Sequence, residues 1–272
     1  MTRHLNKDTT ICMSLAARPS NFGTRFHNFL YDALDLDYLY KAFTTNDLPA
    51  AIGGVRALGI RGCAISMPFK EQCIPLVDEL DISASSIHSV NTIVNTDGYL
   101  KAYNTDYMAI AALLKQYQVD NQMSFVLLGS GGMAKAVACA LKDAGFRDGR
   151  IISRNTESAE QLAEFCGFQT ATEPESLQPQ LLINATPVGM AGGSEEHALA
   201  FSEDKIRAAQ VIFDVVALPE TTPLINCARE MNKTVITGSE VFAIQAVEQF
   251  ALYTGIRPSD ELFKQAAAYS RQ

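Results

Sequence analysis

The sequence predicts an α/β protein built from two successive domains, the second a doubly wound parallel sheet. Three observations carry that expectation. Short apolar runs alternate with amphipathic stretches along most of the chain, the pattern of βαβ units. One compact run, Phe125–Leu128, leads directly into Gly129-Ser130-Gly131-Gly132 and a helical stretch. The chain has 272 residues, 47% hydrophobic and 19% charged, enough to bury two modest cores and too apolar for a disordered chain.

In the first third, Thr10–Leu15, Tyr38–Phe43, Gly62–Ser66 and Val90–Asn95 read as strands. Between them, Thr24–Leu34, Asp47–Leu58 and Phe69–Val77 carry helical spacing. A helix is expected to start at Asp106, as its cap, and to run through Tyr107–Gln116. Strand and helix then alternate: strand Ser124–Leu128, helix Met133–Ala144, strand Arg150–Ser153, helix Glu157–Cys166, then strands Leu181–Asn184 and Val211–Val216. Thr234–Ile236 is the last expected strand, and helices Val241–Tyr253 and Ser259–Tyr269 close the chain. Such alternation implies parallel sheets with helices on both faces. Residues 1–106 are assigned to the first domain and 107–238 to the second, with closing helices in 239–272 returning to the first.

Composition narrows the function. A net charge of −8 without a long basic run disfavours nucleic acid, whose phosphates demand clustered Lys and Arg. No run of about 18 apolar residues predicts a membrane span, and the polar opening Met1–Ile11 lacks the apolar core of a signal peptide. A cytoplasmic protein with a small-molecule substrate is expected, as a monomer or homodimer. Six cysteines stand singly with no Cys-x-x-Cys pair, and the four histidines lack ligand spacing, so neither a disulfide framework nor a metal site is expected.

The glycine run carries the first chemistry. Gly129, Gly131 and Ala134 fit the form G-x-G-x-x-G/A between a strand and a helix. Glycines permit the tight turn and let backbone amides approach a pyrophosphate, and the helix start adds donors and partial positive charge. Gly129, Ser130, Gly131, Gly132, Met133 and Ala134 are therefore candidate dinucleotide-binding residues, against the plainer reading of an ordinary glycine-rich turn. The next strand ends in Ser153-Arg154-Asn155. No acid stands at that tip to take ribose hydroxyls, and the Arg154 guanidinium suits a 2′-phosphate, which favours NADP over NAD. A solvated surface arginine is the competing reading.

Two further constellations precede that loop. Ser66-Met67-Pro68-Phe69-Lys70 follows a strand end, where open α/β sheets place functional groups. Asn104-Thr105-Asp106 reads on its own as a turn with a helix cap, and Lys70 as a solvated lysine. Taken in order, Met67-Pro68-Phe69-Lys70, Val90-Asn91-Thr92, Asn104-Thr105-Asp106, Gly129-Ser130-Gly131-Gly132, Asn184-Ala185-Thr186-Pro187-Val188-Gly189-Met190 and Thr221-Thr222-Pro223-Leu224 resemble the shikimate dehydrogenase family. The resemblance spans nearly the whole chain, and the Asn184–Met190 block is its most specific part.

That resemblance implies an N-terminal α/β substrate domain, a C-terminal Rossmann NADP-binding domain and a cleft between them. It implies that Lys70 and Asp106 form the catalytic pair for the interconversion of 3-dehydroshikimate and shikimate. Asn91 and Gln245 match positions that hydrogen-bond ring hydroxyls, and Asn155, Thr186, Pro187 and Gly238 complete the set expected at NADP.

The sequence also departs from the family. Its Ser-x-Ser-Pro stretch before a His-Asn pair is here Asn21-Phe22-Gly23-Thr24, ahead of His27-Asn28. Asn21 and Gly23 thus stand where two hydroxyls hold the substrate carboxylate, with Arg18 or Arg25 as compensating cations. Ser66 replaces a threonine, Ala64 an asparagine, Ala217 a pocket tyrosine, and Ser158 a second arginine on the cofactor side. These changes leave the hydride-transfer residues in place and disturb recognition. Quinate, an aminated analogue or another cyclic hydroxy acid stays open as the substrate, and a non-catalytic ligand sensor is the reading from a different class.

Overall fold

The structure is a computed structural model that describes residues 5–174 and 177–270. From the N-terminus come β1 (Thr10–Leu15), α1 (Asn21–Ala33), β2 (Tyr38–Phe43), α2 (Leu48–Ala57), β3 (Gly62–Ile65) and α3 (Phe69–Gln72). A 3-10 turn at Ile74–Leu76 follows, then β4 (Glu79–Leu80), α4 (Ile82–Ser85), β5 (Thr92–Thr96) and β6 (Tyr99–Tyr103). The second half contains α5 (Thr105–Gln116), β7 (Phe125–Leu128), α6 (Gly132–Asp143), β8 (Gly149–Ile152), α7 (Thr156–Cys166), β9 (Gln169–Thr170) and β10 (Leu181–Asn184). It continues through α8 (Glu203–Ala208), β11 (Val211–Asp214), α9 (Pro223–Glu230), β12 (Thr234–Thr237), α10 (Gly238–Thr254) and α11 (Asp260–Ser270). The chain divides into two compact units: residues up to Thr105 with those from Gln245 onward, and Asp106–Ile244.

The first unit is a six-stranded sheet in the order β2-β1-β3-β5-β6-β4. It is mixed: β1 pairs parallel with β2 and β3, whereas β5 runs antiparallel to β3 and β6. The expected wholly parallel sheet is corrected here, because β5 and β6 form a hairpin that needs no crossover. Asp97 and Gly98 both take positive φ at its two-residue turn, as a type I′ connection requires. Alternate residues of β1 face opposite layers. Met13 and Leu15 pack with Leu48, Ile52 and Val55 of α2, while Cys12 packs with Phe26, Leu30 and Tyr31 of α1. Phe250 and Tyr253 of α10 and Ala266 of α11 complete that second layer. Gly62 admits them: a Cβ there would lie 2.3 Å from the Tyr253 ring.

The second unit is a six-stranded sheet, parallel throughout, in the order β12-β11-β10-β7-β8-β9. Counted from β7, that is the doubly wound order of dinucleotide-binding domains. Its core includes Val126, Leu182 and Ile212 of neighbouring strands against Ile206 of α8 and Leu224 of α9. Those two helices are the crossovers that the sequence reading passed over.

Three further expectations are corrected. α1 starts at Asn21, three residues ahead of Thr24, so Asn21 and Gly23 lie within a helix. The stretch Phe69–Val77 is no single helix, because Pro75 interrupts it into a four-residue turn and a 3-10 turn. Asp106 is not the cap of α5; it lies inside the first turn, where its charge still suits the helix dipole. Among the described residues, no helix is long and apolar enough to cross a membrane.

Candidate active site

Lys70 is the second residue of the four-residue α3, and the backbone around it is tied down on both sides. The Ser66 N–H donates to Leu15 O at 2.9 Å, Phe69 N–H to Ser66 O at 2.9 Å, and Val90 N–H to Lys70 O at 2.8 Å. Phe69 is buried in the core behind the turn, while Ser66 and Met67 are exposed. An apolar anchor followed by a lysine thus places the half-buried Lys70 in the turn that follows β3.

Asn91 sits just before β5 and is buried, and the oxygen of its carboxamide is fully engaged while one Nδ2 hydrogen is not used by these bonds. Its Oδ1 accepts from Thr105 N–H at 2.9 Å and from the Thr92 hydroxyl at 2.9 Å, and its Nδ2 donates to Thr105 Oγ1 at 3.0 Å. The Thr105 hydroxyl is 3.3 Å from Gln245 Oε1. The fold therefore joins two predicted substrate residues, Asn91 and Gln245, through a threonine that the sequence reading did not assign. On the other side, Gln249 Nε2 donates to Thr92 Oγ1 at 2.8 Å, and its Oε1 lies 3.2 Å from His27 Nε2. Gln249 carried no motif, since its partners stand 157 and 222 positions away. His27 is stacked on Tyr40 with ring centroids 4.4 Å apart, and burial pushes its imidazole down to about 4. Asn28 binds α1 to β2, donating to Tyr40 O at 2.8 Å and accepting from Tyr40 N–H at 3.0 Å. The His-Asn pair is thus structural.

Asn21 and Gly23 occupy the first turn of α1. Ser20 at the N-cap makes no side-chain hydrogen bond to the helix, and no acid stands in the first turn. Its amide donors and positive helix end are left to other acceptors. A Cβ at Gly23 would lie 3.4 Å from Tyr40 Cε1 and Oη, so a small side chain fits there only in contact with the ring. Arg25 is half-buried in the same helix, and Arg18 is exposed.

In the second unit, the loop after β7 fits a dinucleotide pyrophosphate. Gly129 has φ +112, and a Cβ there would lie 2.7 Å from Ala185 O and 3.4 Å from Thr186 Cγ2. Only glycine lets these two strand ends approach. A Cβ at Gly131 or Gly132 would meet nothing within 4 Å, which leaves open space over the start of the 12-residue α6. Gly131 is the N-cap, with no side-chain cap and no acid in the first turn. These are the conditions for a helix start to hold a phosphate anion. Met133 and Ala134 continue that first turn, with Ala134 buried against the sheet. The Ser130 hydroxyl donates to Ser153 Oγ at 2.9 Å, fixing the loop to the tip of β8. Arg154 there is exposed, whereas the Asn155 carboxamide caps α7 by accepting from Ser158 N–H at 3.1 Å. Asn155 thus uses one lone pair of its carboxamide oxygen as the cap of α7.

The Asn184–Met190 block is mainly a scaffold. Asn184 Nδ2 donates to Asp214 Oδ1 at 3.0 Å and to Val188 O at 3.1 Å, while its Oδ1 accepts from the Thr186 hydroxyl at 2.6 Å. The Thr222 hydroxyl donates to Asp214 Oδ2 at 2.6 Å and caps α9 by accepting from Ile225 N–H. Asp214 also accepts from Val216 N–H at 3.1 Å, and burial raises its carboxyl to about 6 against these donors. Thr186 reaches Gly129 through this scaffold. Gly238 faces the backbone of Val215 and Val216, 2.4 Å from where its Cβ would stand, so its glycine serves close packing. Thr237 and Glu240 form a reciprocal capping box beside it.

The profile of the shikimate dehydrogenase substrate-binding domain matches residues 22–93. A shikimate dehydrogenase-like protein of Haemophilus influenzae is 54% identical over 267 residues, covering 98% of both chains. The shikimate dehydrogenase (NADP(+)) of Pyrococcus furiosus is 34% identical over 245 residues, covering 89% of this chain and 88% of its own. A solved shikimate 5-dehydrogenase-like protein superposes with a TM-score of 0.96 at 54% identity, over 99% of this chain and all of the other. With that identity over nearly its full length, and with the sheet order and glycine loop described above, the chain belongs to the shikimate dehydrogenase family, a family of oxidoreductases.

Proposed function

We propose that this protein interconverts 3-dehydroshikimate and shikimate, or a close cyclic hydroxy acid, using NADP, with weakened recognition of shikimate itself. The observation that supports it is the retention of Lys70, Asn91 and Gln245 in the first unit beside the replaced stretch Asn21–Thr24. Lys70 and Asp106 act as the catalytic pair. In the reducing direction a bound NADPH would supply a hydride to the ketone carbon, and negative charge would grow on the ketone oxygen. The Lys70 ammonium meets that charge, and the Asp106 carboxylate keeps Lys70 protonated. Asn91 and Gln245 hold ring oxygens through their amides. Asn21, Gly23 and Ser66 line the acid's binding surface, where the open amides of α1 and the Arg25 guanidinium replace lost hydroxyls. A hydrogen bond to a charged group is worth about 1.5–3 kcal/mol, so one lost hydroxyl weakens the acid roughly ten- to a hundredfold.

Gly129, Ser130, Gly131, Gly132, Met133 and Ala134 receive the pyrophosphate. Arg154 receives the 2′-phosphate that distinguishes NADP from NAD, and Thr186, Pro187 and Gly238 shape the wall beside it. Six unpaired cysteines suit a reducing cytoplasm. The same replaced stretch favours a second reading, in which quinate or a related acid is the better substrate.

The test is absorbance at the reduced-nicotinamide band with shikimate plus NADP, then with NAD, for wild type and Lys70→Ala. Slow turnover with NADP that Lys70→Ala abolishes supports the first reading. No turnover of shikimate, with turnover of quinate, moves the assignment to the second. No turnover on any cyclic acid despite NADP binding sinks both.

A further inference from the structure

The side chains behind Asn91 and Gln245 leave little freedom in how those two carboxamides point. A backbone N–H can only donate, and that of Thr105 lies 2.9 Å from one end of the Asn91 amide, so that end is the oxygen. Thr92 Oγ1, 2.9 Å from the same oxygen, must give it its one hydrogen. A hydroxyl so committed can only accept, and Gln249 therefore turns its nitrogen to Thr92 and its oxygen to His27. That oxygen requires a proton on His27 Nε2. Nδ1 of the same ring is buried without a hydrogen-bond partner among the described residues, consistent with a bare lone pair.

In the other direction Asn91 Nδ2 donates to Thr105 Oγ1. One carboxamide cannot give a single hydroxyl both a straight donor and a straight acceptor. The Thr105 hydrogen therefore passes to Gln245 Oε1 at 3.3 Å rather than back to Asn91 Oδ1 at 3.2 Å.

We propose that this one-way relay, from His27 through Gln249, Thr92, Asn91 and Thr105 to Gln245, makes the carboxamide wall donor-only toward its ligand. Asn91 and Gln245 then offer N–H groups with their oxygens turned inward. Such a wall accepts a hydroxyl or carbonyl oxygen and refuses an ammonium, which brings only donors and would stay unmatched. Within the proposed reaction, on which this inference rests, it selects cyclic acids oxygenated at that position over aminated ones. Gln249, Thr92 and Thr105 are positioning residues, since they act through the two carboxamides.

Two measurements test it. Long-range 1H–15N NMR on the ligand-free full chain, with His27→Gln to assign the ring, should show His27 protonated on Nε2 alone from pH 6 to 8. An Nδ1–H tautomer, or an averaged pair, overturns the relay. Calorimetric titration then compares shikimate with its analogue bearing an ammonium in place of a ring hydroxyl. Wild type should prefer the oxygen acid by roughly tenfold or more. Thr105→Val, which keeps the shape and loses the hydroxyl, should narrow that preference about tenfold, and Thr105→Ser should restore it. A preference unchanged in Thr105→Val, or equal binding of both acids by wild type, overturns the proposal. Binding of neither acid would defeat the functional reading alone, and the imidazole spectrum would still decide the relay.

Discussion

In each unit a buried asparagine beside a strand end organises a network, Asn91 in the first and Asn184 in the second, and the two are used differently. The Asn91 network is neutral throughout and ends on the half-buried Gln245. The Asn184 network is built around a carboxylate, Asp214, and Asn184, Asp214 and Thr222 are each 0% exposed. A neutral network can gain or lose a ligand's hydrogen bond at its open end without stranding a charge. One that contains a buried carboxylate must stay closed, because its unpaired members would each be costly. The first therefore suits a surface that meets substrate, and the second a scaffold that holds the Thr186–Gly189 turn.

The contrast is broken most severely by Asp214→Ala, which strands the Thr222 hydroxyl, Val216 N–H and one Asn184 hydrogen. A loss of about 3 kcal/mol or more is expected. Hydrogen exchange read unit by unit should place it in the second unit, and a loss spread evenly over both would contradict the closed network.

Acid separates the two units next. His27 is held down to about 4, so an unfolded chain takes up its proton first. Stability from this group is complete above about 6.5 and is lost as pH falls toward 4, by about 3 kcal/mol. Asp214 is raised to about 6, so its sign is opposite. Its contribution is complete below about 3.8 and is lost as pH rises toward 6, by a similar amount. Between pH 6.5 and 4 exchange protection should fall in the first unit and rise in the second. His27→Gln should flatten the first trend and Asp214→Asn the second.

The smallest effect falls on exposed Arg154. Arg154→Ala should weaken NADP about tenfold while leaving NAD binding and thermal stability unchanged, as calorimetric titration would show. Equal weakening of both nucleotides would remove Arg154 from the 2′-phosphate.

The sequence made the second unit readable because its local signals agree: an apolar strand, glycines and a helix succeed one another within Phe125–Asp143. The hairpin of β5 and β6 was also signalled, by Asp97-Gly98 between alternating residues, yet a single strand was read there. α8 spans six residues and α9 eight, too short for helical periodicity to stand out. The site divides along the same line. Lys70 and the glycines belong to contiguous motifs, whereas Thr105, Gln249 and Asp214 take their roles from partners far along the chain. Asp106 was read as a cap because an acid ahead of an apolar helix signals one, and the helix starts at Thr105, which makes Asp106 its second residue.

The seating of Tyr253 against Gly62 has a consequence for synthesis. A nascent chain emerges from its N-terminus, and the sheet that carries Lys70 is complete in sequence by Tyr103. One of its faces must still wait for Phe250, Tyr253 and Ala266, made about 150 residues later at a few to some twenty residues per second. The second unit, contiguous from Asp106 to Ile244, is finished first. The region that begins the chain is thus the last to close, with an apolar face exposed for roughly seven to thirty seconds.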